Sequence, residues 1–369
     1  MHAFNDADPE MKAAVCREFG KPLVIEDVAL AAPSDDEVRV KLDACAICHS
    51  DITFADGGWG GTLPMVLGHE ASGTVVAVGD GVDSVQPGDH VVVTLIRHCG
   101  ICHYCEQGDD VMCDATFPLD EKSPLTSATG EIIHQGLRTG AFAEEVVVGA
   151  SQVCVIPQEI PGDSASLLAC GVLTGVGAVT NTANVSPGSD VVVIGVGGVG
   201  LNAIQGAVLS SAKTVVAIDI ADDKLEAAKL FGATHAINST SEDAMSIVLH
   251  ETGGRGADYV FVTVGAKAAI DQGVKLLGRG GTAVIVGMPE SGVMAEYDPS
   301  ELASRSQKII GSKMGSACIS TDIPRLAKLY QEGQLKLDEL VSGRYPLEDI
   351  NDAIASVKNG QALRNVIVF

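Results

Sequence analysis

The sequence predicts an α/β protein with two domains, one rich in β-strands and one built on a doubly wound parallel sheet. As far as about Thr174, short runs of strand-forming residues such as VRVKLDAC and GDHVVVTLI are bounded by Gly, Asp or Pro. From about Ser189 onward, apolar strands alternate with helical segments: VVVIG, a helix from Gly198, TVVAID and then DDKLEAAKLFG. That alternation is typical of a parallel sheet with helices on both faces.

The domain limits follow from this change of pattern. After about Gly315, a helix over IPRLAKLYQEG and a strand over RNVIVF are too short for a separate domain, and we expect them to return to the first one. Residues 1–174 and 315–369 are therefore assigned to the β-rich domain and 175–314 to the parallel-sheet domain. The first ten residues, MHAFNDADPE, are polar, which predicts a flexible extension.

Composition narrows the class of protein. A chain of 369 residues with 46% hydrophobic content and 42 glycines suits a compact enzyme with many tight turns. The net charge of -24 repels phosphate backbones and anionic membrane surfaces, so neither nucleic acid nor membrane is an expected partner. Whether this acidity serves solubility or adaptation to salt stays open. The longest apolar stretch, 191–208, contains five glycines and predicts a strand, a turn and a helix, and we expect a cytoplasmic protein.

Four cysteines lie close together in the segment CGICHYCEQGDDVMC. They are Cys99, Cys102, Cys105 and Cys113. Two-residue gaps allow a tight turn to direct successive sulfurs at one point, as a tetrahedral ion requires. A disulfide framework is typical of small secreted domains, and the iron–sulfur alternative lacks the proline that usually follows the last cysteine. The spacing therefore predicts a structural zinc site.

A second group of metal donors lies outside this segment. It comprises Cys48 in CAICHSD, His69 and Glu70 in LGHE, and Cys170 in LLACGVLTG. Taken singly, each has an ordinary structural explanation, because cysteine is often a small buried apolar residue. Taken together, they form a Cys₂His set, which is one of the ligand sets of catalytic zinc. We therefore predict two zinc ions per chain.

The segment GVGGVG predicts a dinucleotide site. Gly195, Gly197 and Gly200 have GxGxxG spacing, follow the strand VVVIG and open a helix, so a pyrophosphate can reach the free N–H groups of the helix N-terminus. Asp219 ends the next strand, where its carboxylate can accept hydrogen bonds from the ribose hydroxyls. Its charge would repel a 2′-phosphate and no arginine follows it, so we predict NAD rather than NADP.

In this order and spacing, the GHE motif, the four-cysteine segment and GxGGVG resemble those of the zinc-dependent alcohol dehydrogenases of the medium-chain dehydrogenase/reductase superfamily. The resemblance covers residues 11–369. It implies a GroES-like catalytic domain followed by a Rossmann domain, in agreement with the strand pattern. It also implies a homodimer, or a tetramer, paired at the sheet edge near TAVIVG and the segment that follows it.

The resemblance implies a role for each matching residue. Cys48, His69 and Cys170 match the ligands of the catalytic zinc, Glu70 lies just behind that ion, and Asp51 matches the carboxylate that orients His69. The residues that match the cofactor site are His49, Thr174, Gly195, Gly197, Gly198, Val199, Gly200, Asp219, Lys224 and Arg364.

The reaction implied by the family is the interconversion of an alcohol and an aldehyde. Zinc lowers the pKa of the alcohol so that hydride can leave toward NAD⁺, and Ser50 takes the proton first. The family's proton relay ends at a histidine, and the aligned residue here is Thr53.

The substrate prediction depends on residues aligned with the family's alcohol pocket. Leu95, Phe117 and Leu137 are all apolar, which favours a medium-chain or aromatic primary alcohol. Trp59 in DGGWGGT is either a lid over this pocket or an exposed turn. The main alternative is glutathione-dependent formaldehyde dehydrogenase, but the arginine expected near Phe117 is replaced.

A more distant alternative is a protein that is not an enzyme, either a zinc-binding module or a relative of the lens crystallins. The zinc-free quinone reductases and the crystallins of this superfamily lack the four-cysteine segment or the Cys/His/Cys set, which are both intact here. A zinc-binding module would not need GxGxxG with Asp219.

Overall fold

The computed structural model describes residues 10–369. Most of the extension predicted for residues 1–10 therefore lies outside the described residues. The strands are β1 Glu10–Cys16, β2 Val24–Leu30, β3 Glu37–Ala46, β4 Met65–Val66, β5 Glu70–Val78, β6 His90–Thr94, β7 Leu125–Ser127, β8 Ile132–Gln135, β9 Glu145–Gly149, β10 Val153–Val155, β11 Asp190–Ile194, β12 Thr214–Asp219, β13 His235–Asn238, β14 Ala257–Val262, β15 Leu277–Ile285, β16 Lys308–Gly311, β17 Val341–Tyr345 and β18 Arg364–Val368.

The helices are mostly short in the β-rich part of the chain and longer between the parallel strands. They are α1 His49–Ala55, α2 Pro118–Glu121, α3 Gly162–Leu167, α4 Gly171–Gly177, α5 Gly198–Leu209, α6 Asp222–Leu230, α7 Ala244–Glu251, α8 Lys267–Lys275, α9 Pro299–Ser304, α10 Ile319–Gln331 and α11 Ile350–Lys358. No helix within residues 10–369 is long and apolar enough to cross a membrane.

The chain divides into two compact units. The first comprises the described residues as far as Cys170 together with Cys318–Phe369, and the second is Gly171–Ala317. The domain limits predicted after Thr174 and before Gly315 differ from these bounds by a few residues and stay predictions.

The first unit consists of β-structure with few helices. Strands β1, β2, β7, β8 and β4 close into a barrel, and a second sheet has the order β10-β6-β5-β3-β18-β17, with β9 also paired to β3. A continuous core of buried aliphatic side chains from both sheets fills this unit. The last strand, β18, lies antiparallel to the end of β3, so the chain terminus is part of the sheet that precedes Cys48.

The second unit is a six-stranded parallel sheet in the order β13-β12-β11-β14-β15-β16. Counted from its first strand, this is the order 3-2-1-4-5-6 of doubly wound dinucleotide-binding sheets. The central strand β11 has the sequence DVVVI and is buried throughout, as expected for β-branched residues covered on both faces. The predicted α/β class, with a β-rich part and a doubly wound parallel sheet, is confirmed.

Candidate functional site

The predicted catalytic donors meet at a buried point of the first unit. Cys48 follows the end of β3, His69 precedes β5, Glu70 begins that strand, and Cys170 lies directly before α4. One donor atom from each lies within 4.8 Å of every other, and all four residues are buried. Four donors that are up to 122 positions apart in sequence are thus brought together by strand ends and by the start of a helix.

Asp51 fixes two of these donors. Its Oδ1 accepts a hydrogen bond from the backbone N–H of Gly68 at 2.9 Å and lies 3.0 Å from His69 Nδ1. Its Oδ2 accepts the backbone N–H of Cys48 at 3.0 Å, across the first turn of α1. One buried carboxylate therefore orients the imidazole of His69 and holds the backbone of Cys48.

The chemistry of this donor set fits a zinc ion. Because Nδ1 of His69 faces Asp51, Nε2 is the nitrogen left for a metal, and within residues 10–369 this buried atom has no hydrogen-bond partner. The pKa of the Cys48 thiol is held well below its usual value. The largest contribution to this shift comes from the side chain of Cys170, and His69 lowers the pKa further. Burial alone would lower the pKa of His69, but Asp51 and Cys48 hold that pKa well above its usual value. The site thus favours an ionised Cys48 sulfur, and the Asp51 contact fixes which nitrogen of the His69 ring faces the other donors.

Glu70 and Arg364 form a buried ion pair next to these donors. Arg364 Nη2 lies 2.5 Å from Glu70 Oε1, and the two side chains are 6% and 0% exposed. The same Glu70 oxygen lies 4.0 Å from His69 Nε2. Burial raises the pKa of Glu70 to about 7, although the Arg364 charge opposes this shift. The pair thus places two opposite charges next to each other behind the donors.

The four predicted structural ligands also converge. Cys99, Cys102, Cys105 and Cys113 each place a sulfur within 4.8 Å of the others. Cys102 Sγ lies 3.5 Å from Cys105 Sγ and 3.9 Å from Cys113 Sγ. Around a tetrahedral ion with metal–sulfur bonds of about 2.3 Å, sulfurs lie about 3.8 Å apart.

The loop shifts two of its thiols in opposite directions, because burial raises the pKa of Cys105 to about 12. Backbone N–H groups of Cys105 and Asp114 lower the pKa of the Cys102 thiol to about 7. Gly108 ends the turn at φ 80°, a left-handed conformation that a glycine adopts without strain. The four sulfurs fit one metal ion.

The glycine loop of the second unit has the geometry of a dinucleotide site. Gly195 has φ 85°, and a Cβ on Gly200 would lie 2.0 Å from the carbonyl oxygen of Gly195, so both positions require glycine. Gly197 precedes α5 with φ −76°, and a Cβ there would meet no heavy atom within 4 Å. The open side of Gly197 leaves room for a ligand at the helix N-terminus.

Asp219 is hydrogen-bonded to this loop. Its Oδ2 accepts the backbone N–H of Val196 at 2.7 Å, and its Oδ1 accepts those of Ile220 and Ala221 at 2.7 and 3.1 Å. Gly195, Asp219 and Lys224 line one open groove with a volume of about 820 Å³.

Other predicted site residues lie on helices. Gly198 and Val199 form the first turn of α5, and Thr174 lies in α4 with its Oγ1 3.7 Å from Met314 Sδ. His49 and Ser50 begin α1, where His49 is exposed and Ser50 is half-buried. The Thr53 hydroxyl donates to the carbonyl oxygen of His49 at 2.9 Å, within the same helix.

Sequence reasoning missed a buried polar network beside the donors. Thr94 donates through Oγ1 to the carbonyl oxygen of Ala169 at 2.7 Å, and Arg97 and Gln152 are bonded to each other. No residue spacing indicates this network, and the nearest signal is an arginine two residues before the four-cysteine segment.

Comparison with known proteins agrees with this arrangement. Residues 198–332 match a protein family described as "Zinc-binding dehydrogenase". A second profile, described as "Alcohol dehydrogenase GroES-like domain", matches residues 34–158.

Individual relatives extend over nearly the whole chain. The NDMA-dependent alcohol dehydrogenase of Amycolatopsis methanolica is 37% identical, over 97% of this chain and 98% of the relative. The S-(hydroxymethyl)glutathione dehydrogenase of Saccharomyces cerevisiae is 36% identical, over 96% and 95%. The crystal structure of benzyl alcohol dehydrogenase from Acinetobacter calcoaceticus superposes with a TM-score of 0.92 at 32% identity, covering 98% of this chain and 99% of that one.

The chain thus contains a GroES-like part and a Rossmann-type part, and known proteins contain both parts in one chain. The chain is therefore an oxidoreductase that belongs to the zinc-dependent alcohol dehydrogenases of the medium-chain dehydrogenase/reductase superfamily.

Proposed function

We propose that the protein is an NAD-dependent dehydrogenase that interconverts a medium-chain or aromatic primary alcohol and its aldehyde. The observation that carries this proposal is the convergence of Cys48, His69 and Cys170 on one buried point, with Asp51 fixing the imidazole. A bound zinc would supply a Lewis acid that lowers the pKa of the alcohol, and bound NAD would accept the hydride.

Each donor residue has a defined task in this proposal. Cys48 and Cys170 supply sulfur, and His69 supplies Nε2 because Asp51 holds Nδ1. Asp51 keeps the imidazole in one tautomer, which raises the basicity of the metal-facing nitrogen. The Glu70–Arg364 pair balances charge behind the donors. Cys99, Cys102, Cys105 and Cys113 hold a second, structural zinc.

Ser50 receives the proton from the alcohol oxygen in this scheme. The family's relay histidine is replaced by Thr53, whose hydroxyl donates to His49 in the helix. We therefore propose that Ser50, as it accepts this proton, passes its own hydroxyl proton to water rather than to a histidine.

NAD is the proposed cofactor because of the glycine loop and Asp219. Gly195, Gly197 and Gly200 shape the turn, and the pyrophosphate would lie at the N-terminus of α5, where Gly198 and Val199 supply N–H groups. The remaining cofactor contacts are assigned to Asp219 and Lys224 at the adenosine ribose, Thr174 at the nicotinamide, and His49 and Arg364 at the phosphates. The Asp219 charge would repel a 2′-phosphate, which favours NAD over NADP.

One second function has a specific observation in its favour, namely the similarity to a yeast S-(hydroxymethyl)glutathione dehydrogenase. That substrate carries carboxylates that need a cation. Arg97 lies over the ring of Phe117 at 5.6 Å, but it is buried and its charge is paired with Asp120. The pocket predicted around Phe117 is thus better suited to an apolar alcohol.

NADH absorbance with ethanol, hexanol, benzyl alcohol and formaldehyde plus glutathione tests this proposal, with and without a zinc chelator. We expect chelator-sensitive turnover of hexanol and benzyl alcohol with NAD and much slower turnover with NADP. Turnover of the thiol adduct alone would favour the second function, and turnover only on addition of NDMA would contradict dependence on free NAD. Absence of both NAD binding and turnover would favour a non-catalytic role.

We also propose a homodimer, with a tetramer as the alternative. Strand β16, Lys308–Gly311, is the outer strand of the parallel sheet. An outer strand leaves backbone N–H and C=O groups that a second copy can pair across a two-fold axis. Sedimentation velocity tests this, and a monomer at micromolar concentration would contradict it.

A further inference from the structure

A buried polar network lies beside the metal donors and has no part in the scheme above. Its members are Thr94 at the end of β6, Arg97 three residues later, and Gln152 between β9 and β10. Arg97 is 2% exposed, and the other two are 0% exposed. A charged side chain is rarely buried to this degree unless every donor is used, so its partners indicate what it holds.

Arg97 uses all three of its guanidinium nitrogens. Nε donates to Gln152 Oε1 at 2.6 Å, Nη2 to the carbonyl oxygen of Arg138 at 2.9 Å, and Nη1 to Asp120 Oδ1 at 3.0 Å. Gln152 Nε2 donates to the carbonyl oxygens of Thr94 at 2.9 Å and Arg138 at 3.1 Å. The Arg138 carbonyl is therefore bonded from two sides.

The bonded carbonyl belongs to an unusual turn. Leu137 and Arg138 have φ 51° and 60°, left-handed values that side chains other than glycine adopt at a cost. Such a turn persists only where its surroundings hold it. Arg97 and Gln152 supply that restraint from the buried side.

The turn leads directly to the metal donors. The N–H groups of Ala141 and Phe142 donate to the carbonyl oxygens of Gly68 and Leu67 at 2.9 and 2.8 Å, just before His69. The segment Gly136–Arg138 also contacts α1.

Two further contacts of the network point the same way. Thr94 lies opposite Glu70 in the sheet and bonds the carbonyl oxygen of Ala169, the residue before Cys170. Asp120, the ion partner of Arg97, also accepts the backbone N–H of Phe117 at 3.1 Å through Oδ2. One network thus connects the positions of Phe117 and Leu137, both predicted pocket residues, with the metal donors.

We propose that Arg97 is a positioning residue for substrate specificity, which holds the Leu137 turn and Phe117 in place as walls of the alcohol pocket. This inference rests on the proposed function, since a pocket wall matters only if an alcohol binds there. Arg97 acts through Arg138, Gln152 and Asp120 and does not itself contact the alcohol.

The test compares wild type with Arg97→Met and the milder Asp120→Asn. Hydrogen–deuterium exchange is followed for peptides covering residues 136–142, and kcat/KM is measured for benzyl alcohol and ethanol in the same preparations. The ratio of the two kcat/KM values does not depend on the fraction of folded enzyme. We expect faster exchange in 136–142 and a fall of roughly tenfold in the benzyl alcohol preference of Arg97→Met, mainly through KM. A smaller shift in the same direction is expected for Asp120→Asn.

Arg17→Met is the matched control, because Arg17 forms ion pairs with Glu26 and Glu131 at 2.6 and 2.5 Å elsewhere in the same unit. It should leave both readouts at wild-type values. Unchanged exchange in Arg97→Met would overturn the restraint itself, even in an enzyme that turns over no alcohol. Faster exchange with an unchanged ratio would overturn the specificity role. Failure of the wild type to oxidise any alcohol would instead refute the proposed function, and the specificity role with it.

Discussion

Replacing Gly197 with alanine tests the cofactor site without disturbing the protein around it. Gly197 has φ −76° and ψ −165°, values open to any residue, and a Cβ there would meet no heavy atom within 4 Å. Alanine restricts the unfolded chain, which stabilises, and is a poorer N-cap than glycine for α5, which destabilises. These opposed effects should change the free energy of unfolding by less than about 1 kcal/mol.

The same methyl group would stand where the pyrophosphate approaches the helix N-terminus. We expect the Kd for NADH to rise at least about tenfold, which corresponds to about 1.4 kcal/mol. Isothermal titration calorimetry measures this Kd, and thermal unfolding without cofactor measures the stability. An unchanged Kd in a stable Gly197→Ala variant would refute the assignment of the loop.

Gly200→Ala is the contrasting variant. Its Cβ would lie 2.0 Å from the Gly195 carbonyl oxygen and 2.9 Å from Thr263 Oγ1, so backbone has to move. The expected loss of stability is about 3 kcal/mol, toward the upper end of overpacking costs. The pair of variants therefore separates a glycine required by the ligand from one required by the fold.

Three further outcomes are expected. Asp51→Asn removes the charge that orients His69 and should lower zinc affinity by roughly 10–100-fold, measured by competition with a chromogenic chelator; an unchanged affinity would contradict the role of Asp51. Glu70→Gln leaves the Arg364 charge buried without its partner and should lower the free energy of unfolding, measured in urea, by about 3–5 kcal/mol. Adding Arg364→Met should restore part of this stability, and a loss below about 1 kcal/mol in the single variant would argue against the pair. Cys102→Ser should remove one zinc per chain and lower Tm while the other zinc stays bound, and loss of both ions or of neither would contradict two separate sites.

The candidate ligand sets could be predicted from the sequence because their signals are local. The four cysteines are separated by short gaps, and GHE and GxGxxG are short motifs whose residue types have few other uses. The convergence of Cys48 with Cys170, by contrast, was predicted from their residue types taken together and from the resemblance, since nothing in their spacing places them together.

The network around Arg97 could not be predicted in this way. Arg97, Asp120, Arg138 and Gln152 lie 14 to 55 positions apart, and two of the bonds that join them end on the backbone carbonyl of Arg138, which any residue could supply. Long-range contacts of this kind leave no periodic pattern in the sequence.

The start of α10 differs from the sequence prediction for a local reason. The segment IPRLAKLYQEG predicts a helix from Ile323, whereas the helix begins at Ile319 and contains Pro324. Asp322 Oδ2 accepts a hydrogen bond from the backbone N–H of Cys318 at 3.0 Å. The backbone at the start of the helix is therefore capped by a carboxylate that lies inside the helix and not before it. A helix start is usually recognised from a residue that precedes it, and none does so here.

The account depends most on the buried donors, and zinc content measured together with turnover tests it most directly. Elemental analysis and NADH formation from benzyl alcohol would be compared between wild type and Cys170→Ala. The account predicts two zinc ions per chain and turnover in the wild type, and one zinc ion with no detectable turnover in a folded Cys170→Ala variant. A variant that keeps both zinc ions, or that oxidises the alcohol at the wild-type rate, would contradict it.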